Sequence, residues 1–177
     1  MQRKDSPKEP RLRLPPILSN SPSLVETMIE GFEADTLKWR PSPERWSVTM
    51  VIAHLAESEV NCFRLRLRRT ATEQKPILEA YDQWAQFREQ PLLSASEALQ
   101  TWRREREETL RFLASLPANV ESRQCTHREL GQLTFGELLN EFAFHDMGHM
   151  RQILEVCRSR AYYPYMGGWR QYYQVNP

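Results

Sequence analysis

Cysteine is scarce in this sequence. The three residues Cys62, Cys125 and Cys157 are odd in number and form no CxxC pair. That excludes a disulfide framework and a thiolate zinc knuckle, and they read as small, reduced core residues of a cytoplasmic chain. Glycine is sparse as well, with 6 in 177 residues. Neither sign of charge dominates. Lys and Arg number 24 against 23 Asp and Glu, a net charge of +1, so no global field calls for nucleic acid or a membrane surface. No apolar run approaches a membrane span. The opening residues, MQRKDSPKEPRLRLPP, have no apolar segment of the secretory kind. No strand-like run is longer than a few residues, and no internal repeat is present.

What remains is long enough for one domain with a sizeable core. Residues 1–16 are rich in Pro, Lys and Arg and read as a loosely attached or disordered tail, leaving residues 17–177 as the domain. A first helix is expected from Pro22 to Trp39, with Ser21 as N-cap and Pro22 at the first helical position. A second runs from Ser47 to about Thr70, with an inner stripe of Val51, Leu55, Ser58, Cys62 and Leu65. Residues 71–93 are a long connection that suits a crossover. Ser94 and Glu97 have capping-box spacing and open a third helix that ends before Pro117. Residues 117–133 form the last connection and carry His127, which in a loop is most often solvent-exposed. Four long helices with inward stripes point to an all-α four-helix bundle.

The fourth helix organises the rest. Thr134 and Glu137 cap its start, no proline interrupts it, and Arg158 and Arg160 occupy its last turn. Leu138, Phe142, His145, His149, Gln152 and Val156 follow at steps of 4, 3, 4, 3 and 4. Two histidines, four residues apart, therefore sit one above the other on a core-facing stripe. A single such His is usually a hydrogen-bonded core residue. A facing pair of imidazoles suits a divalent metal, which offsets the desolvation of both. His54, beside the inner stripe of helix two, can meet His145 and His149 if the two helices pack side by side.

Three neutral His ligands leave a tetrahedral ion one open position, the mark of a catalytic site. Zinc and nickel suit the set best; iron and manganese are compatible. Zinc would lower the pKa of bound water to about 7, and would equally hold a thiol as thiolate. Glu57, one turn from His54, is the candidate general base; the bland alternative is an edge carboxylate without a role. Asp146 points about 100° from His145 on an ideal helix, so it orients a neighbour rather than binding metal. Arg106 falls near the inner face of helix three. Its bland role is an ion pair with a glutamate; its functional role is an anion contact in a central pocket.

These residues carry a family resemblance. RWSVTMVIAHLAESE, then GQLTFGELL, then FHDMGHMRQI, then a tail with MGGWRQYY, together resemble the DinB-like proteins, metal-binding four-helix bundles related to the bacillithiol and mycothiol S-transferases. The resemblance covers about residues 17–175. It implies an up-down-down-up bundle with a long crossover, often a homodimer, and a divalent ion held by His54, His145 and His149. It implies a small-molecule substrate, with a low-molecular-weight thiol as one partner class, and fixes no reaction. Metal-dependent hydrolysis and thiol transfer both stay open, as does a metal-binding or dimerising bundle without turnover.

Overall fold

The structure, a computed structural model, describes residues 11–89 and 93–177. Residues 1–10 of the expected tail lie outside the described residues. The remainder of it docks. Leu12 is buried in the lower core, its N–H donates to Leu116 O at 3.3 Å, and Arg11 bridges Pro117. The apolar Leu12 and Leu14 correct the tail reading, because burying them favours packing over solvation.

Both capping boxes form. Thr134 Oγ1 accepts the Glu137 N–H at 3.2 Å while Glu137 takes the Thr134 N–H, starting α7 (Phe135–Ala161). Ser94 and Glu97 do the same for α6 (Ala95–Ala114). Ser47 caps α3 (Val48–Ser58). The first helix differs from expectation. α1 runs Pro16–Ile29, with Pro16 rather than Pro22 in its first turn, and the chain then breaks before a short α2 (Ala34–Lys38). Pro22 lies inside α1 and has no N–H for Leu18 O. That carbonyl is instead taken by Arg106 Nη1 at 2.7 Å, which is how the helix tolerates an interior proline.

The second long helix is three pieces on one axis: α3, a π-helical turn Glu59–Arg64, and α4 (Leu65–Thr72). The π turn advances the inward face, because each of its turns holds more residues than an α-turn. Leu65, expected inside, is 50% exposed, and Leu67 takes its place at 0%.

A long connection follows, holding β1 (Ile77–Leu78) and the short α5 (Ala85–Glu89). A small sheet of strands two to four residues long is present, within the expectation of no strand run longer than a few residues. β1 pairs in parallel with β2 (Gln124–His127), which pairs antiparallel with β3 (Gly131–Thr134). The strands are too short for their alternation to stand out in sequence. They gather the ends of α4 and α6 and the start of α7 at one end of the bundle. Arg11 on Pro117 brings the start of α1 to the same end, and Phe32 against Tyr162 joins the end of α1 to the end of α7 at the other. The course is therefore up-down-down-up. α3 packs on α6 and α7, and α1 on α7 and α6. The bundle interior holds two apolar cores. One surrounds Ile52, Leu55, Trp102 and Ile153; the other surrounds Leu18, Phe63, Leu67 and Phe142. All three cysteines are buried and free. No helix among the described residues is long and apolar enough to cross a membrane.

Candidate metal centre

α3 and α7 pack side by side and bring His54, His145 and His149 together. His54 Nε2 is 3.1 Å from His145 Nε2, which is 3.2 Å from His149 Nε2. Ligand nitrogens about 2.0–2.1 Å from a tetrahedral zinc stand roughly 3.3 Å apart, so these spacings fit one ion. Hydrogen bonds alone satisfy the group poorly. His149 Nδ1 lies 2.9 Å from Gln152 Oε1; the Nδ1–H donates there, which leaves Nε2 a lone pair. His145 Nε2 then faces two nitrogens with at most one proton, and the Nδ1 atoms of His54 and His145 are buried without a partner.

Burial keeps all three rings neutral. It lowers the pKa of His54 to about 3 and that of His145 to about 2, the neighbouring histidines adding to the effect. His149 is lowered by burial also, against the opposing pull of Gln152. Neutral imidazoles are what a metal requires. The rings are fixed by aromatics. Trp46 stacks on His149 with centroids 6.1 Å apart and lies 4.8 Å from His54, and Phe63 packs 4.7 Å from His145.

Beside the triad opens a cavity of about 940 Å³, with His145 and His149 in its wall together with Trp46, Trp84, Glu141 and Phe144. That size takes a drug-sized ligand.

Glu57 is held: Asn61 Nδ2 donates to its Oε1 at 2.9 Å, its Oε2 is buried without a partner, and burial raises its pKa. It is absent from the cavity wall. Glu141, one helical turn before His145, is in that wall. The residue as a whole is exposed, while partial burial of its carboxyl raises the pKa against the pull of Arg66. The i, i+4 spacing to His145 was the signal for Glu141, and the i, i+3 spacing to His149 was the signal for Gln152.

Arg106 does not reach the cavity. It is 2% exposed, with Nε donating to Glu59 Oε2 at 2.8 Å, Nη1 to Asp146 Oδ2 at 2.8 Å and to Ser21 Oγ at 2.8 Å, and Nη2 to Asp146 Oδ1 at 3.2 Å. Every guanidinium nitrogen is engaged, so of the two roles open to Arg106 from the sequence the structure shows the ion pair with a glutamate, widened to a buried hub, and not the anion contact. Ser21 and Asp146, beside His145 in sequence, complete it through a 2.5 Å hydrogen bond. His127 lies in β2 rather than a loop. It is 5% exposed, with Nε2 3.2 Å from Arg66 Nη2, and stands outside the triad.

A profile of the DinB superfamily matches residues 17–153. A curated protein of Oceanobacillus iheyensis, named "putative metal-dependent hydrolase", is 26% identical over 151 residues, covering 81% of this chain and 83% of the relative. Among solved structures, YfiT from Bacillus subtilis superposes with a TM-score of 0.72 at 22% identity, covering 81% of this chain and 83% of that one. It is described as "a probable metal-dependent hydrolase with an unusual four-helix bundle topology".

Proposed function

The chain belongs to the DinB superfamily, and on that premise we propose that it is a metal-dependent hydrolase whose ion is held by His54, His145 and His149. The observation that carries this is the convergence of three neutral Nε2 atoms beside a cavity of about 940 Å³. When bound, zinc or nickel supplies Lewis acidity and a nucleophile at neutral pH. The chain's own residues do the rest. Gln152 fixes the tautomer of His149, and Trp46 walls the triad from bulk water. Glu141 is the carboxylate that can take a proton on the cavity side, and Glu57, in the reading from sequence, is its counterpart on α3. The name of the Oceanobacillus relative supports hydrolysis. Thiol transfer uses the same centre, but Arg106, the candidate anion contact for an acidic thiol, is committed to the hub.

The proposed substrate is a small molecule. The proposed assembly is a homodimer, supported by the exposed Met147 and Leu154 on α7 and Leu24 on α1. The free buried thiols support cytoplasmic residence. The test is purification without chelator, elemental analysis, and a panel of esters and amides with added zinc or nickel, run beside an electrophile offered with low-molecular-weight thiols. About one ion per chain and metal-dependent, thiol-independent turnover are expected. Turnover only with thiol would replace hydrolysis by transfer, and no metal uptake would remove the centre altogether.

A further inference from the structure

Gly148 sits in the middle of α7, where a glycine weakens a helix relative to alanine. No close packing requires it: a Cβ built there meets no atom within 4 Å. The cavity does account for it. Gly148 is in the cavity wall, and at about 100° per residue it falls at the centre of the side of α7 that faces the cavity. Glu141, His145 and Gln152 lie to one side of it, and Phe144, Arg151 and Glu155 to the other. A side chain at 148 would stand in the space between the triad and the far wall. The charges are unequal in their engagement. Glu155 pairs with Arg158 across that wall, whereas Arg151 has no hydrogen-bond or ion-pair partner among the described residues. The wall also carries three aromatics: Trp46 and Trp84 meet edge to face with centroids 5.2 Å apart, and Phe144 is 80% exposed.

We propose that Gly148 is the floor of a ligand bed on α7, and that the bed takes an organic acid with a flat apolar body, the body lying over Gly148 among Trp46, Trp84 and Phe144 and the acid group meeting Arg151. The assignment rests on the hydrolase reading for its direction, since it places the reacting bond at the His145 and His149 end and the acid at the other. Arg151 and Gly148 are specificity-determining residues in it. A substrate lacking the acid loses the charge-assisted contact, and a bulkier residue at 148 excludes the body.

The probes are two naphthalene dyes, anilinonaphthalene sulfonate, which is an acid, and N-phenylnaphthylamine, its neutral counterpart. Binding is titrated by fluorescence in metal-free and zinc-loaded protein. Gly148→Leu should weaken both dyes about tenfold or more, while zinc stoichiometry and helix content stay at the wild-type level. Gly148→Ala should raise Tm by about 2–4 °C and weaken both dyes by less. Arg151→Gln should weaken the sulfonate by about fivefold and leave the neutral dye unchanged. A Gly148→Leu protein that binds both dyes as the wild type does overturns the bed. Equal weakening of both dyes by Arg151→Gln, or of neither, overturns the acid contact. The dye titrations in metal-free protein stand even if zinc uptake fails, so loss of the metal reading and loss of the bed are separate results.

Discussion

Two polar clusters share the interior of this bundle, and His145 and Asp146 place them next to each other on one helix. In the Arg106 hub, every guanidinium nitrogen meets an oxygen, and the partners come from α1, the π turn and α7. In the histidine cluster, three nitrogens crowd within 3.2 Å contacts and two more are buried without a partner. The hub leaves a single carboxylate oxygen, Glu59 Oε1, without a partner, whereas the histidine cluster sets lone pairs against one another, the arrangement on which the proposed ion rests. Paired buried charge ties the helices of the hub together, whereas the unpartnered histidine nitrogens are the observation behind the proposed metal centre.

The contrast can be broken by four measurements. The largest effect is expected from His145→Ala, which removes the nitrogen common to both short contacts. Elemental analysis should fall from about one ion per chain to near none, and wild-type metal content would mean that the cluster is not the centre. Next, Arg106→Met should cost on the order of 3–5 kcal/mol in denaturant unfolding, because Glu59 and Asp146 are left buried and unpaired. A cost below about 1 kcal/mol would show the hub to be no more than a surface-type pair. Third comes pH. His54 and His145 have folded pKa values below the ordinary 6.5, near 3 and 2, so the unfolded chain takes up protons first. Metal-free protein should keep its stability above pH 6.5 and lose up to about 2.7 kcal/mol per pH unit as the pH falls toward 3. A flat unfolding curve between pH 7 and 5 would contradict neutral buried rings. The smallest effect is expected from Gln152→Ala, which frees the His149 tautomer. Zinc affinity should drop about 10–100-fold by competition with a chromophoric chelator, and an unchanged affinity would leave Gln152 without an orienting role.

The triad was legible in the sequence because its signal is local. Two histidines at i and i+4 on an apolar stripe, and a third beside a second stripe, need only helical geometry. Both capping boxes were legible for the same reason. Arg106 was placed near the inner face with an ion pair or an anion contact both open, and its sequence could not choose between them because its partners are distant in the chain. Nothing near residue 106 reveals that Pro22 frees the Leu18 carbonyl or that Glu59 is turned inward. Glu59 turns inward through the π turn, which leaves no simple periodic trace and so also misdirected the expectation for Leu65. The sheet escaped notice because two- to four-residue strands carry too little alternation to separate from loop.

The π turn has a further consequence. An unbroken α-helix has one phase, and a residue that suits the upper core dictates which residues face the lower one. By absorbing extra backbone between Ser58 and Leu65, the chain resets that phase midway, much as a differential lets two wheels on one axle turn by different amounts. The upper segment can then keep His54 aimed at α7 while Phe63, in the turn, and Leu67, in the lower segment, fit their own neighbours. Winding Glu59–Arg64 as α-helix with no residue removed would lock the two halves into one gear: either Leu65 and Leu67 exchange places, or His54 swings away from its partners.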